Sequence, residues 1–336
     1  MHDTPDTAPP SNRRRPMPPW LNLVLRLSIT AALLAYALKG VDWPKFTALL
    51  LQADWRWWAV GLVTGMLVQA VAGVRWAALA RPLGFEFSRR FFVWRFFEGM
   101  FFSLCLPSSI GGDVIKAYRI GDTTSRRLLA GCSVLADRLT GLSALAVLGG
   151  AAFASRKYDL SLPVTLAVAT VLLAVALAVF LLAVSFLDRI VVILPEGSPV
   201  RGFLAQLLPY QQRPSLIAKA VAWSFVVQAG GALGVGLSAR ALGVDQPLSL
   251  WFAVVPLVAL AMVLPISIGG FGVRENAMTL LLSEQGVPSD RAVGVALLWG
   301  LSTIIIGLVG GVLFLLDREP TSARDRGGAR SESPTA

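Results

Sequence analysis

Long apolar runs separated by short polar connections dominate the chain. Six runs, at about 20–38, 57–80, 128–153, 161–187, 215–239 and 291–316, are each at least 19 residues long. A hydrocarbon layer roughly 30 Å thick takes about 20 apolar residues as helix, and it tolerates no unpaired backbone. Each run therefore predicts a full transmembrane helix. Two further apolar stretches, 91–120 and 250–283, are interrupted in their middle by Pro and Gly-Gly. Their halves are too short to cross, and they predict broken hairpins that return to the side they left. The expected fold is an all-α integral membrane protein: six full transmembrane helices plus two re-entrant broken helical hairpins.

The first run has some marks of a signal peptide, with Arg13, Arg14 and Arg15 before it and Ala35-Tyr36-Ala37 near its end. Asn22 and Arg26 interrupt its apolar part, however, and the run fills a whole span, so a retained helix is expected. The polar segments 1–19 and 318–336, rich in Pro, Ser, Thr and Arg, predict disordered tails on either side of one membrane domain at 20–317.

Composition agrees with the pattern. The 336 residues are 55% apolar and 15% charged, which excludes a disordered chain, a collagen-like chain and an ordinary soluble enzyme. The net charge of +10 would suggest nucleic acid in a soluble protein; here it follows the positive-inside bias. With a cytoplasmic N-terminus and both hairpins re-entrant, 18 of the 30 basic residues fall on the cytoplasmic side and 7 on the other. A full crossing at 91–110 would move the basic cluster from Lys116 to Arg127 outside. Both termini are thus expected in the cytoplasm, with no nucleic-acid partner. Cys105 and Cys132 lie in apolar runs and are expected as buried small hydrophobes, not a disulfide. The single histidine, His2, lies in a polar tail, so no His-based metal site and no cofactor are expected.

The two breaks resemble each other. Leu106-Pro-Ser-Ser-Ile-Gly-Gly112 aligns with Leu264-Pro-Ile-Ser-Ile-Gly-Gly270 at an offset of 158, identical in six of seven positions. Divided near residue 155, each half holds three full helices and one broken hairpin. Three crossings are an odd number, so the second half is expected upside down relative to the first. Inverted repeats carrying paired Pro/Gly-interrupted segments point to a transporter's binding site at the bilayer midplane.

Backbone chemistry gives the breaks their candidate role. Proline ends a helix, and paired glycines permit positive φ and close approach of a ligand. Ser109 and Ser267 could cap the following helix or donate to a ligand. After the pairs Gly111-Gly112 and Gly269-Gly270, a helix starting at Gly112 or Gly270 would aim free N–H groups at a buried anion such as phosphate. Charged residues at membrane depth join the candidates, because each is costly there. Asp113, Lys116 and Arg119 follow the first break, and Arg274 and Glu275 the second. Asp137 and Arg138 lie about 15 Å into the helix that starts at 128. Arg95 and Glu98 are expected to pair locally, and Arg26 and Arg75 to snorkel toward the cytoplasmic surface. Trp20, Trp43, Trp55, Trp57, Trp58 and Trp76 sit near expected boundaries and suggest an aromatic belt. The segment 190–212 suggests a helix along the membrane surface.

The stretches Pro107–Arg119 and Pro265–Glu275 resemble the two signature motifs of the lysylphosphatidylglycerol synthase transmembrane-region family, also called the flippase-like domain family. The resemblance spans about 20–318. It implies an inner-membrane helical unit that moves lipids between leaflets, with Asp113, Lys116, Arg119, Arg274 and Glu275 lining a polar cavity. Bifunctional members carry a cytoplasmic aminoacyltransferase domain. Here about 20 polar residues follow the last helix, so the resemblance implies the translocation half only.

The function expected is translocation of an anionic or aminoacylated phospholipid, or of a polyprenyl-linked lipid, across a bacterial cytoplasmic membrane. The chain contains no G-x-x-x-x-G-K-[ST] nucleotide loop, which leaves passive scrambling or ion coupling. Two alternatives stand beside it. One is a membrane-embedded transferase acting on a lipid-linked substrate, for which the isolated acids lack a D-x-D cluster. The other is a scaffold for a separate lipid-modifying enzyme. A homodimer is left open.

Overall fold

A computed structural model describes residues 19–39, 41–105, 111–157, 161, 163–165, 167–172, 174–175, 186–263 and 266–317. Its regular structure among these residues is helical: α1 (Pro19–Lys39), α2 (Trp43–Leu51), α3 (Trp55–Ala80), α4 (Arg89–Cys105), α5 (Gly111–Ile120), α6 (Thr124–Lys157), α7 (Leu187–Ile193), α8 (Pro199–Ala205), α9 (Leu208–Gln211), α10 (Pro214–Ala241), α11 (Leu248–Val263), α12 (Val273–Ser283) and α13 (Ser289–Leu316). Among the described residues, four helices are long and apolar enough to cross a membrane: 55–83, 124–155, 214–241 and 289–316. They coincide with four of the six expected spans. Of the other two, 20–38 is helical as α1, and 161–187 is described only in part.

Polar caps start α2 and α3. The Asp42 carboxylate accepts from the Lys45 amide at 3.3 Å, and Asp54 from the Arg56 amide at 3.1 Å. In both interrupted stretches separate helices lie on either side of the expected break; residues 106–110 of the first break are outside the described residues. In the first, α4 and α5 run antiparallel, since Gly99 meets Gly112 and Lys116 while Glu98 meets Arg119. In the second, α11 packs on α12.

The second break departs from the sequence in one respect. Its helix begins at Val273, three residues beyond Gly270, because Gly269, Gly270 and Gly272 hold φ of 61°, 76° and 81°. Those left-handed values cannot continue a right-handed helix.

Packing is duplicated between the halves. The most extensive pairing joins α3 to α10. Around it, α4 packs on α13 as α11 packs on α6, and α5 packs on α6 as α12 packs on α13. Small residues let these helices approach, as they do where lipid supplies no hydrophobic drive between helices. Gly61 and Gly234 face one another's backbone where α3 crosses α10, while Gly307, Gly310 and Gly311 receive Leu104, Phe97 and Phe101 of α4.

Three surface expectations need correction. The segment 190–212 is three short helices rather than one, separated by the stretch around Pro195 and Gly197 and by a turn at 206–207. Tyr210 turns inward there, donating to the Leu79 carbonyl at 2.6 Å, and burial pushes its hydroxyl well above the usual phenol range. Trp76 is a core residue and not part of a belt, its indole donating to Ser133 Oγ at 3.0 Å. Trp43, Trp55 and Trp57 do lie exposed. Cys105 is exposed at the end of α4, and both cysteines are free thiols.

Glycine at position 310 is demanded by contact, since any side chain there would drive into the Phe97 carbonyl. Gly310→Val should cost about 1–3 kcal/mol of stability. Gly202→Ala, on a helix with open space around it, should leave the thermal melt of the detergent-purified protein close to wild type.

Candidate functional site

Between α3, α4, α5, α6, α10 and the second break lies a cavity of about 430 Å³. Lys116, Asp137, Arg138, Ser267, Gly269 and Gly270 line it, so it gathers candidates from both halves of the sequence. Gln69 of α3 and Gln228 of α10 also line it, each the fifteenth residue of its helix. Arg75, Ser103 and Thr303 complete the polar wall.

Lys116 is held by three features. Its stem passes over Gly99, where a side chain would block it. Its ammonium lies 3.9 Å from the Phe96 ring centroid and 5.9 Å from that of Trp76. It donates to Asp113 Oδ1 at 3.3 Å. Asp113, in the first turn of α5, also accepts from Arg138 Nε at 2.8 Å. That position suits a carboxylate, because the helix dipole is positive there.

Arg75 does not snorkel. It is 6% exposed, donates from Nε to Asp137 Oδ1 at 2.7 Å, and donates from Nη1 to Ser224 at 2.7 Å. The pair joins α3, α6 and α10, and it satisfies the Asp137 that sequence alone left open. The side chain of Arg26 is outside the described residues.

The cavity shares Arg138, Leu142, Met262 and Val263 with a second, larger space of about 820 Å³. This is a lateral groove walled by Val114, Ala117 and Tyr118 of α5, Leu128 and Leu135 of α6, and Ala259 of α11. Its walls are mainly apolar, with Thr124 and Arg127 also lining it, and Val114, Tyr118, Leu128 and Leu135 are exposed to the surroundings of the helix bundle. Asp113 and Arg138 stand where groove and cavity meet.

Several candidates lie elsewhere. Gly112 packs against the Gly99 carbonyl and Ser103, so the first glycine pair serves helix contact; Gly111 opens α5 beside it. Ser109 is outside the described residues. Arg119 donates to Glu98 at 3.2 Å and to Asp317 at 2.8 Å, while Arg95 bonds the same two acids. The Arg95–Glu98 pair expected locally is thus part of a four-residue cluster.

Arg274 and Glu275 are fully buried against each other, with Arg274 Nη2 2.6 Å from Glu275 Oε1. Glu275 Oε2 accepts from the Gly272 amide at 2.6 Å. The helix start expected to await an anion is therefore capped from within. Ser267 lies six residues before that helix and does not cap it. The amide of Ile268 is likewise taken, by Thr30 Oγ1 at 3.0 Å.

Membrane-length helices packed through small residues around a charged interior cavity define a multi-pass membrane protein. The chain matches the model of the family described as the lysylphosphatidylglycerol synthase TM region over residues 23–311, and it belongs to that family. No individual curated protein matches it. Membership places it among membrane proteins that handle lipids.

The Arg75–Asp137 pair supplies a stability test. Arg75→Ala leaves a carboxylate buried without its cation and should cost about 3–5 kcal/mol, whereas Arg75→Met combined with Asp137→Leu should recover most of that loss. Thermal unfolding of the purified variants measures both.

Proposed function

We propose that this protein translocates a lipid between the leaflets of the bacterial cytoplasmic membrane. The head group enters the polar cavity while the acyl chains stay in the lateral groove. The observation that carries the reading is the continuity of the two spaces through Arg138, Leu142, Met262 and Val263. A polar chamber opening sideways onto an apolar channel matches a two-part molecule, with a solvated end and a greasy end. The lipid is a phospholipid, anionic or aminoacylated, or a polyprenyl-linked lipid.

Duplicated packing supports an inverted repeat. In it, the α4–α5 hairpin is re-entrant from the cytoplasmic face and the α11–α12 hairpin from the opposite face, with both termini cytoplasmic. The second hairpin then brings its break to the cavity through Ser267, Gly269 and Gly270, and the first brings Lys116. Transport is favoured over transferase chemistry by the state of the acids. Asp113, Asp137 and Glu275 are each bonded to a cation, and an acid so engaged is poorly placed to act as a general base or a metal ligand.

Reconstituted into vesicles, the protein should speed the leaflet exchange of a labelled phospholipid over protein-free vesicles. Leu142→Trp, which narrows the passage between cavity and groove, should cut that rate about tenfold without lowering the melting temperature. An unchanged rate in a well-folded Leu142→Trp protein would remove the route proposed here.

A further inference from the structure

Three arginines surround the turn between α5 and α6, and two of them meet acids. Arg119 bonds Glu98 and Asp317. Arg126 reaches Asp122 at 3.3 Å and donates to the Gly84 carbonyl at 3.1 Å. Arg127 differs. Its guanidinium lies 4.0 Å from the centroid of the Tyr118 ring, and its Nε donates to the Gly121 carbonyl at 3.2 Å. Neither contact supplies a negative charge, and among the described residues no acid bonds it. The hydrogen bond uses Nε and leaves Nη1 and Nη2 to a further acceptor.

Arg127, Tyr118 and Thr124 line one end of the lateral groove of about 820 Å³, and Asp113 and Arg138 line the other. By helix rise, Arg127 and Arg138 stand about 16 Å apart along α6. The wall between them is Val114, Ala117, Leu128, Val134 and Leu135, with open space over Gly131. An arginine stacked on an aromatic ring holds its planar fork ready for two parallel hydrogen bonds to phosphate. The groove therefore sets one phosphate-binding group at the head of an apolar trough. A free phosphate would use only the arginine, and a plain hydrocarbon only the trough.

We propose that the groove is a lipid-binding site in its own right, distinct from the polar cavity. Arg127 holds the lipid's phosphate at one end, and the hydrocarbon lies over Leu128, Gly131 and Leu135 toward Arg138. A lipid held there waits with its head group about 16 Å along α6 from the cavity's edge at Arg138. The inference rests on the translocation reading for the traffic between the two places, and on the groove alone for what it binds.

Native mass spectrometry of the full chain reads the site, with Leu142→Trp present throughout to narrow the way into the cavity. Phosphatidylglycerol should be retained about tenfold more than diacylglycerol of the same chains. Arg127→Gln should erase most of that difference. Arg126→Gln should keep it, although it removes the same charge from the same turn. Gly131→Leu, which adds a side chain where nothing stands within 4 Å, should weaken phosphatidylglycerol retention by filling the trough. Equal retention of the two lipids overturns the proposal, as does a folded Arg127→Gln protein with unchanged retention. Equal losses from Arg126→Gln and Arg127→Gln mean diffuse surface attraction, and full retention by Gly131→Leu means that the trough is not used; either result also overturns it. If glycerol 3-phosphate displaces the lipid at equal concentration, the ligand is a soluble phosphate and the lipid assignment falls. Vesicle exchange by the wild type separates this proposal from the translocation reading. Arg127-dependent binding without exchange removes the translocation reading and leaves this one standing. Exchange with binding indifferent to Arg127 does the reverse.

Discussion

The cost of placing charge in a hydrocarbon interior governs this structure. Water is absent there, and a guanidinium or carboxylate must find its compensation within the chain. The protein meets that requirement by spanning helices with its ion pairs. Arg75 and Asp137 fasten α3 to α6 at 2.7 Å, with Ser224 of α10 taking a second guanidinium hydrogen bond. Arg95, Glu98, Arg119 and Asp317 fasten the first hairpin to the end of α13. Remove either set and the helices lose both their registration and the neutrality that lets them lie together.

Close approach is the second requirement, because short salt bridges between helices need backbones that come near one another. Glycine provides it at the crossings of α3 with α10 and of α4 with α13. The same device makes room for function on α4, where the absence of a side chain at Gly99 leaves a channel for the stem of Lys116. A helix-packing residue thus positions a cavity-facing cation, and the two roles are not separable at that site.

Much of the fold is legible in the sequence, since run length and Pro/Gly interruption are local properties. The span expected at 57–80 appears as α3 from Trp55 to Ala80, and that expected at 215–239 as α10 from Pro214 to Ala241. The second break falls at the end of its L-P-x-S-I-G-G motif, where turns replace helix from 266 to Gly272; the first motif's residues 106–110 lie outside the described residues. Less legible is what each interior charge touches. Arg75 lies near a helix end in sequence, which suggested escape to the surface, yet its partner is 62 residues away on α6. Arg274 and Glu275 match the motif that marks the first break's polar residues, but their own adjacency lets them neutralise each other. Gly272, with its φ of 81°, delays the helix and makes Glu275 the cap. The cavity's paired glutamines were open to notice, as polar residues midway along apolar helices, and only the meeting of α3 with α10 gives them meaning.

The Asp317 contact also bears on how the chain is assembled. Arg95, Glu98 and Arg119 belong to the portion that leaves the ribosome early, while Asp317 follows the last helix. Until that residue is made, the early cluster holds two cations and one carboxylate, and the seam that α13 will fill on α4 stands vacant. The first half therefore waits, incompletely neutralised, through the synthesis of roughly two hundred further residues. Contacts so distant in sequence are slow to close, which makes the nascent N-terminal half the stage at which this protein most needs protection from misassembly.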